Sequence, residues 1–211
     1  MATNYSPKIV TDGLVLCLDA ANPKSYSGLG TSWKDLSLSN ANATLSGGFA
    51  YSMNDNGTLM FDGNSGRATL NASTFDFSSE QTIFVILKPD ESDGSRRNPY
   101  NHAYGGYGTI THEPSGSFNY YHGTDGGNSS PYQGTGSLFT VDQNEISAIT
   151  LARDPSDVKW YKNGKFITSE SNSYPTAVSS TNTILIGDGY TTNYLGAIYC
   201  VLLYDRALTQ A

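Results

Sequence analysis

The chain has 211 residues, of which 15% are charged, with 12 Lys and Arg against 19 Asp and Glu and a net charge of −7. That length suits one domain with a sizeable core, because all-β sandwiches reach it without splitting. The positive residues are scattered, which excludes a nucleic-acid surface built on clustered positive charge, and no run of about 20 apolar residues offers a membrane span.

In chain order, the opening "MATNYSPKIVTDG" carries no apolar signal core. Apolar residues then alternate, or run in short blocks bounded by Gly, Asn, Asp and Ser, which is the pattern of strands. Strands are expected over residues 14–19, 58–62, 68–71, 82–88, 108–111, 117–122, 145–153, 158–162, 165–169, 183–187 and 194–204. Residues 22–51, 90–106 and 123–136 read as loops, and long loops in a compact sandwich tend to carry function. In "WYKNGKFI", Asn163-Gly164 supplies the two positive-φ residues of a type I′ hairpin turn. Trp160 and Phe166 are expected to pack across it. The terminal "DRALTQA" is the one hint of helix. Cys17 and Cys200, in the apolar runs "GLVLCLDA" and "AIYCVLLYD", read as small buried hydrophobes; two cysteines make no disulfide framework. The fold class that follows is all-β: a two-sheet antiparallel sandwich of jelly-roll type, residues 1–211 forming one domain.

Catalytic patterns are not met. Glycoside hydrolysis needs two carboxylates about 5–9.5 Å apart, and none of the five glutamates (Glu80, Glu91, Glu113, Glu145, Glu170) has a carboxylate two residues away within a clear strand. Glu91 and Asp93 have that spacing but sit in a polar loop. His102, His112 and His122 stand ten residues apart, not at zinc-ligand spacing, and "HEPSG" is not H-E-x-x-H because Pro114 forbids a helix interior. There is no G-x-S-x-G, and "YGGYG" lacks the Lys-Ser/Thr of a phosphate cradle. No cofactor is required on this reading. For Ca²⁺, Asp19, Asp62 and Asp188 at strand ends, with Asp125 and Asn128 in a loop, are the candidate oxygen donors; the other reading is that each Asp caps its own turn.

What remains is recognition. Residues 100–136 hold six Tyr and nine Gly among many Asn and Ser. Tyr gives a flat apolar face and a hydroxyl at low entropic cost, while Ser, Gly and Asn adapt. The candidate contact residues are Arg96, Arg97, Tyr100, His102, Tyr104, Tyr107, His112, Glu113, Tyr120, Tyr121, His122 and Tyr132. Sugar rings could stack on the tyrosines, and a protein partner could use the same Tyr and Arg anchors. Tyr120 and Tyr121 are adjacent on a strand, so one is expected to point inward.

The segments "IVTDGLVLCLDAANPKSYSGLGTSWKDLS", "TLMFDGN", "WYKNG" and "ILIGDGY…YLGAIYCVLLYDRALT" together resemble the concanavalin A-like, laminin-G-like jelly-roll superfamily, in order and over nearly the whole chain. The chain departs from that group where "NSGRA" follows "FDG" and where "LSNANATL" follows "DLS". The middle segment "RRNPYNHAYGGYGTITHEPSGSFNYYHGTDGGNSSPYQG" resembles virion structural proteins of tailed phages, particularly those of marine cyanobacteria. That resemblance implies a non-enzymatic decoration, tail or fibre component, made in the host cytoplasm and exposed on the particle. Its implied partners are other virion proteins and host glycans, without nucleic acid or membrane insertion, in a chain that could form a homo-oligomer. It also implies a chain that continues past "LTQA". The alternatives are a carbohydrate-binding module of a bacterial surface protein and a glycoside hydrolase.

Overall fold

The computed structural model describes residues 9–70, 75–90, 94–102, 108–122, 132–171 and 183–209. The strands, in chain order, are β1 (Leu14–Asp19), β2 (Ser32–Trp33), β3 (Ala43–Ser46), β4 (Phe49–Ser52), β5 (Thr58–Asp62), β6 (Arg67–Leu70), β7 (Gln81–Pro89), β8 (Arg97–Asn101), β9 (Thr109–His112), β10 (Phe118–Tyr121), β11 (Tyr132–Gly134), β12 (Ser147–Arg153), β13 (Asp157–Lys162), β14 (Lys165–Ser171), β15 (Ile184–Ile186), β16 (Thr192–Asn193) and β17 (Leu195–Tyr204). One sheet has eight strands in the order β14-β13-β12-β7-β17-β5-β4, with β1 also on β17. The other has nine, in the order β11-β10-β9-β8-β15-β6-β3-β2, with β16 on β8. All pairings are antiparallel except β16 with β8. The architecture is the expected all-β jelly-roll sandwich.

The period of two on a strand sends alternate side chains to opposite faces. In β7, Ile83, Val85 and Leu87 face inward; in β17, Ile198, Val201 and Leu203 do. They meet Leu45, Ala68, Leu70, Tyr100, Ile110, Phe118, Tyr120, Ile184 and Ile186 from the other sheet in one cluster. Each large side chain buried there contributes roughly 1.5–3 kcal/mol. Trp160 of β13, fully buried, reaches across to Phe118 and Phe139 at ring distances of 6.4 and 6.3 Å. A second apolar cluster, Cys17, Leu202 and Tyr204 with Phe84 and Cys200 against it, lies on the opposite face of the eight-stranded sheet.

Local chemistry explains several connections. Asp35 is buried and accepts from the Cys17 and Ala41 amides and from the Ser37 amide and hydroxyl, so the "SWKDLS" segment is clamped to β1. Asn163 and Gly164 hold φ of 52° and 77°, as the hairpin turn requires. The expected Trp160–Phe166 pairing is corrected. The two-residue turn pairs Lys162 with Lys165 and Tyr161 with Phe166, whose rings lie 5.7 Å apart, while Trp160, the next residue along β13, points to the opposite face and into the core; a bulge on β14 beyond that pair sets Trp160 opposite Thr168.

Other expectations change as well. The 22–51 region contains β2, β3 and β4, and the 90–106 region contains β8. Pro99, which cannot donate to a ladder, sits inside the register shift between Arg97 and Tyr100. Residues 205–209 form no helix; their backbone is pinned instead by Ala207 N–H to Glu80 and Leu208 N–H to the Thr82 hydroxyl, both 2.9 Å. Among the described residues no helix is long and apolar enough to cross a membrane.

Candidate contact site

The segment singled out by composition becomes three neighbouring strands, β8, β9 and β10, so about half of its side chains face the core. The contact reading is overturned for Tyr100, Tyr120, His102 and His122, each 0% exposed, and for Arg97 at 5%. Tyr120 donates to Gln81 Oε1 at 3.1 Å and stacks on His122 at 5.6 Å. His102 packs edge-on against Phe77 at 5.9 Å. Arg97 donates to the carbonyls of Gly63 and Asn193, tying β8 to the turn after β5 and to β16. Arg153, also fully buried, donates to the Ser79 and Phe77 carbonyls below this group. These residues are a polar layer inside the sandwich, where burial without partners would be costly. Tyr104 and Tyr107 lie outside the described residues, as do Asp125 and Asn128. Tyr132 pairs with Tyr121 through the backbone.

The alternate positions point to the other face of the sheet. Asn119 and Tyr121 of β10 point away from the core, as do Thr109 and Thr111 of β9, and Asn119 lies opposite Thr111; Thr109, Thr111 and Asn119 are themselves buried, and Tyr121 is partly buried. Arg96, just before β8, places its Nε 2.9 Å from the Glu113 carboxylate and donates from Nη1 to the Tyr121 hydroxyl at 3.1 Å. Thr111 Oγ1 donates to Glu113 at 2.7 Å. Tyr121 and Tyr190 meet edge to face at 5.8 Å. Burial first, and then Tyr190, raise the Tyr121 hydroxyl above its ordinary range, so it stays protonated at neutral pH. Three of the sequence candidates, Arg96, Glu113 and Tyr121, are thus brought together. Thr111, Asn119 and Tyr190 were missed. Strand alternation and register could have found the first two; Tyr190 arrives from a distant loop without a local signal.

Beside this patch opens a cleft of about 610 Å³ lined by Glu113, Ser115, Ser117, Asn119, Gly134 and Glu170, between β10–β11 of one sheet and β14 of the other. His112 lies on the other side of the same hairpin. Its ring packs on Phe118 at 4.9 Å with Nε2 3.2 Å from the Val141 carbonyl, and burial lowers its pKa below the usual 6.5.

The three candidate calcium aspartates each serve a separate turn. Asp19 accepts from Ala21 N–H, Asp62 from the amides of Asn64, Ser65 and Gly66, and Asp188 from Gly189 N–H and Arg67. Among the described residues no group of three His, Cys, Asp or Glu side chains gathers that could hold a metal ion. Cys17 and Cys200 are free thiols; Cys17 is buried and Cys200 partly buried. Burial, with Asp19 and Asp35, pushes Cys17 up to about 11, and burial raises Cys200 further. Neither is an activated nucleophile.

No curated protein sequence matches the chain. Among solved structures it is similar to the receptor binding domain of the botulinum neurotoxin C/D mosaic serotype, with TM-score 0.74 and 14% identity over 95% of this chain and 50% of that one. The binding domain of Paraclostridial Mosquitocidal Protein 1 gives 0.71 and 18%, over 94% and 50%. The chain therefore spans about half the length of these toxin chains. Domain 4 of AbnA, an extracellular arabinanase from Geobacillus stearothermophilus solved with arabinotriose, gives 0.69 and 16%, over 95% and 96%. At these identities the likeness is one of fold. The family signature covers more than half of the sequence: residues 62–211 match the concanavalin A-like lectin/glucanases superfamily, and the chain belongs to it.

Proposed function

We propose that the chain is a non-catalytic contact module of a tailed-phage particle, carried as capsid decoration or as part of the tail or a fibre. In this reading it holds a neighbouring virion protein or a host-cell glycan against the outer face of the nine-stranded sheet. The observation that carries it is the grouping of Arg96, Glu113, Tyr121 and Tyr190. A charged pair with fixed geometry stands beside two tyrosine rings on a rigid platform. Such rings take the C–H faces of sugars or the apolar side chains of a partner, and the polar groups set orientation. Glu113 is tied to Arg96 and Thr111 as a hydrogen-bond acceptor, which suits recognition better than proton delivery.

The low charge and the richness in Tyr, Asn, Ser and Gly support an exposed surface, and the free thiols suit synthesis in a reducing cytoplasm. The resemblance of the middle segment to phage structural proteins supports the particle. Binding domains among the similar folds support recognition over turnover. The test is immuno-electron microscopy of purified particles with antibody to this chain. Labelling at regular positions is expected; particles without the chain overturn the virion assignment.

A second reading, a carbohydrate-binding module of a bacterial surface protein, is favoured by the end-to-end match with the arabinanase domain. Binding of arabinotriose by the isolated chain, together with its absence from particles, would select it.

A further inference from the structure

We propose that the cleft beside the Arg96–Glu113 patch is a subsite for an uncharged, hydroxyl-rich sugar residue and that it rejects acidic sugars; this rests on the glycan arm of the function proposed above. Its volume of about 610 Å³ lies within the range of about 300–1,000 Å³ in which small ligands are held. Asn119 forms part of its wall, is 4% exposed, and its side-chain Nδ2 has no hydrogen-bond partner among the described residues. A buried donor left unmade costs about 1–3 kcal/mol, and a ligand hydroxyl removes that cost. Gly134 is what lets Asn119 sit there, because a Cβ on Gly134 would fall 2.2 Å from Asn119 Oδ1.

The remaining groups set the charge class. Ser115 and Ser117 pair their hydroxyls at 2.8 Å at the rim. Glu113 and Glu170 bring two carboxylates to the lining, from opposite sheets, and among the described residues no Lys or Arg lines the cleft. Arg96 is committed to Glu113 and Tyr121. A sugar hydroxyl can donate to a carboxylate and accept from Asn119. A uronate or sialate would meet the Glu170 carboxylate directly and the Glu113 carboxylate with only the already committed Arg96 beside it.

The experiment is calorimetric titration of the whole chain with neutral trisaccharides, arabinotriose and cellotriose, against trigalacturonate and sialyllactose. At least one neutral sugar is expected to bind, and the acidic ones at least tenfold more weakly. Asn119→Ala and Gly134→Ala should each weaken the neutral sugar at least tenfold, and Glu170→Lys should narrow the gap to the acidic sugars. Circular dichroism checks that each variant is folded, and Glu170→Lys, at the partly exposed edge strand, remains informative if Gly134→Ala is not. Equal binding of neutral and acidic sugars overturns the subsite, as does a neutral sugar that none of the three variants affects. If in that case Tyr121→Ala abolishes binding, the sugar reading survives alone. Binding of no sugar overturns both.

Discussion

Tyr120 and Tyr121 are neighbours on one strand with opposite expected roles, and replacing each in turn tests how the site is built. Tyr120 is 0% exposed, stacks on His122 and donates to Gln81. Truncating a buried aromatic to Ala costs about 3–5 kcal/mol. For a chain of this size each kcal/mol moves Tm by about 2–4 °C, so Tyr120→Ala should lower Tm by roughly 6–20 °C. Tyr120→Phe keeps the ring but strands the Gln81 oxygen, at a cost of about 1–3 kcal/mol. Tyr121 is only partly buried, and its truncation removes the hydrogen bond from Arg96 together with the hydrogen-bond and ring contacts to Tyr190. Its removal should cost about 1 kcal/mol or less, under about 4 °C, while abolishing ligand capture. Scanning calorimetry of the three variants, with binding measured on each, reads both effects. Tyr121→Ala destabilising the chain as much as Tyr120→Ala would refute the division into a core layer and a contact layer.

Asp62 offers a pH test. The amides of Ser65, Asn64 and Gly66 hold its carboxyl down at about 2, against 3.8 when unrestrained. A depressed folded pKa gives stability that is present above the unfolded value and lost as pH falls from about 4 to about 2, so Asp62→Asn should flatten the stability profile in that window, measured by urea titration. His112 should titrate below 6.5 by NMR, because burial favours its neutral form. Its contribution to stability should fade as pH drops below that value. Cys17, with its thiol pushed up to about 11, should resist alkylation at pH 8 in the folded chain and react promptly in denaturant; equal rates in the two states would contradict its burial. A double-mutant cycle on Arg96 and Glu113 should return about 1 kcal/mol or less, since the pair is part-exposed to solvent.

The sandwich was legible because its signals are local. "WYKNG" encodes its own turn, and the alternating apolar positions of 82–88 and 194–204 mark strands that need no partner to be recognised. Composition was a weaker guide to the site. Tyrosine and histidine on a β-strand serve the core or the surface according to register alone, and a sequence states parity but not which parity faces inward. Tyr120 and Tyr121 show this: that one would be buried was readable, but which one was not. β8 lies in a region that reads as loop, and its accommodation of Pro99 depends on a register shift set by its pairing with β9. Glu113 and Tyr121 were named from their segment, yet their partnership with Arg96 depends on β8 and β10 lying on the two sides of β9. Glu170 reaches the cleft from the other sheet, a juxtaposition of long range with no trace in local pattern.

The most direct measurement is an amide chemical-shift map of the folded chain titrated with arabinotriose or whichever neutral trisaccharide binds. The account predicts that the perturbed residues gather on the outer face of the nine-stranded sheet, at Arg96, Thr111, Glu113, Asn119 and Tyr121. Perturbations centred instead on Phe84, Leu202 and Tyr204, across the opposite sheet, would contradict it.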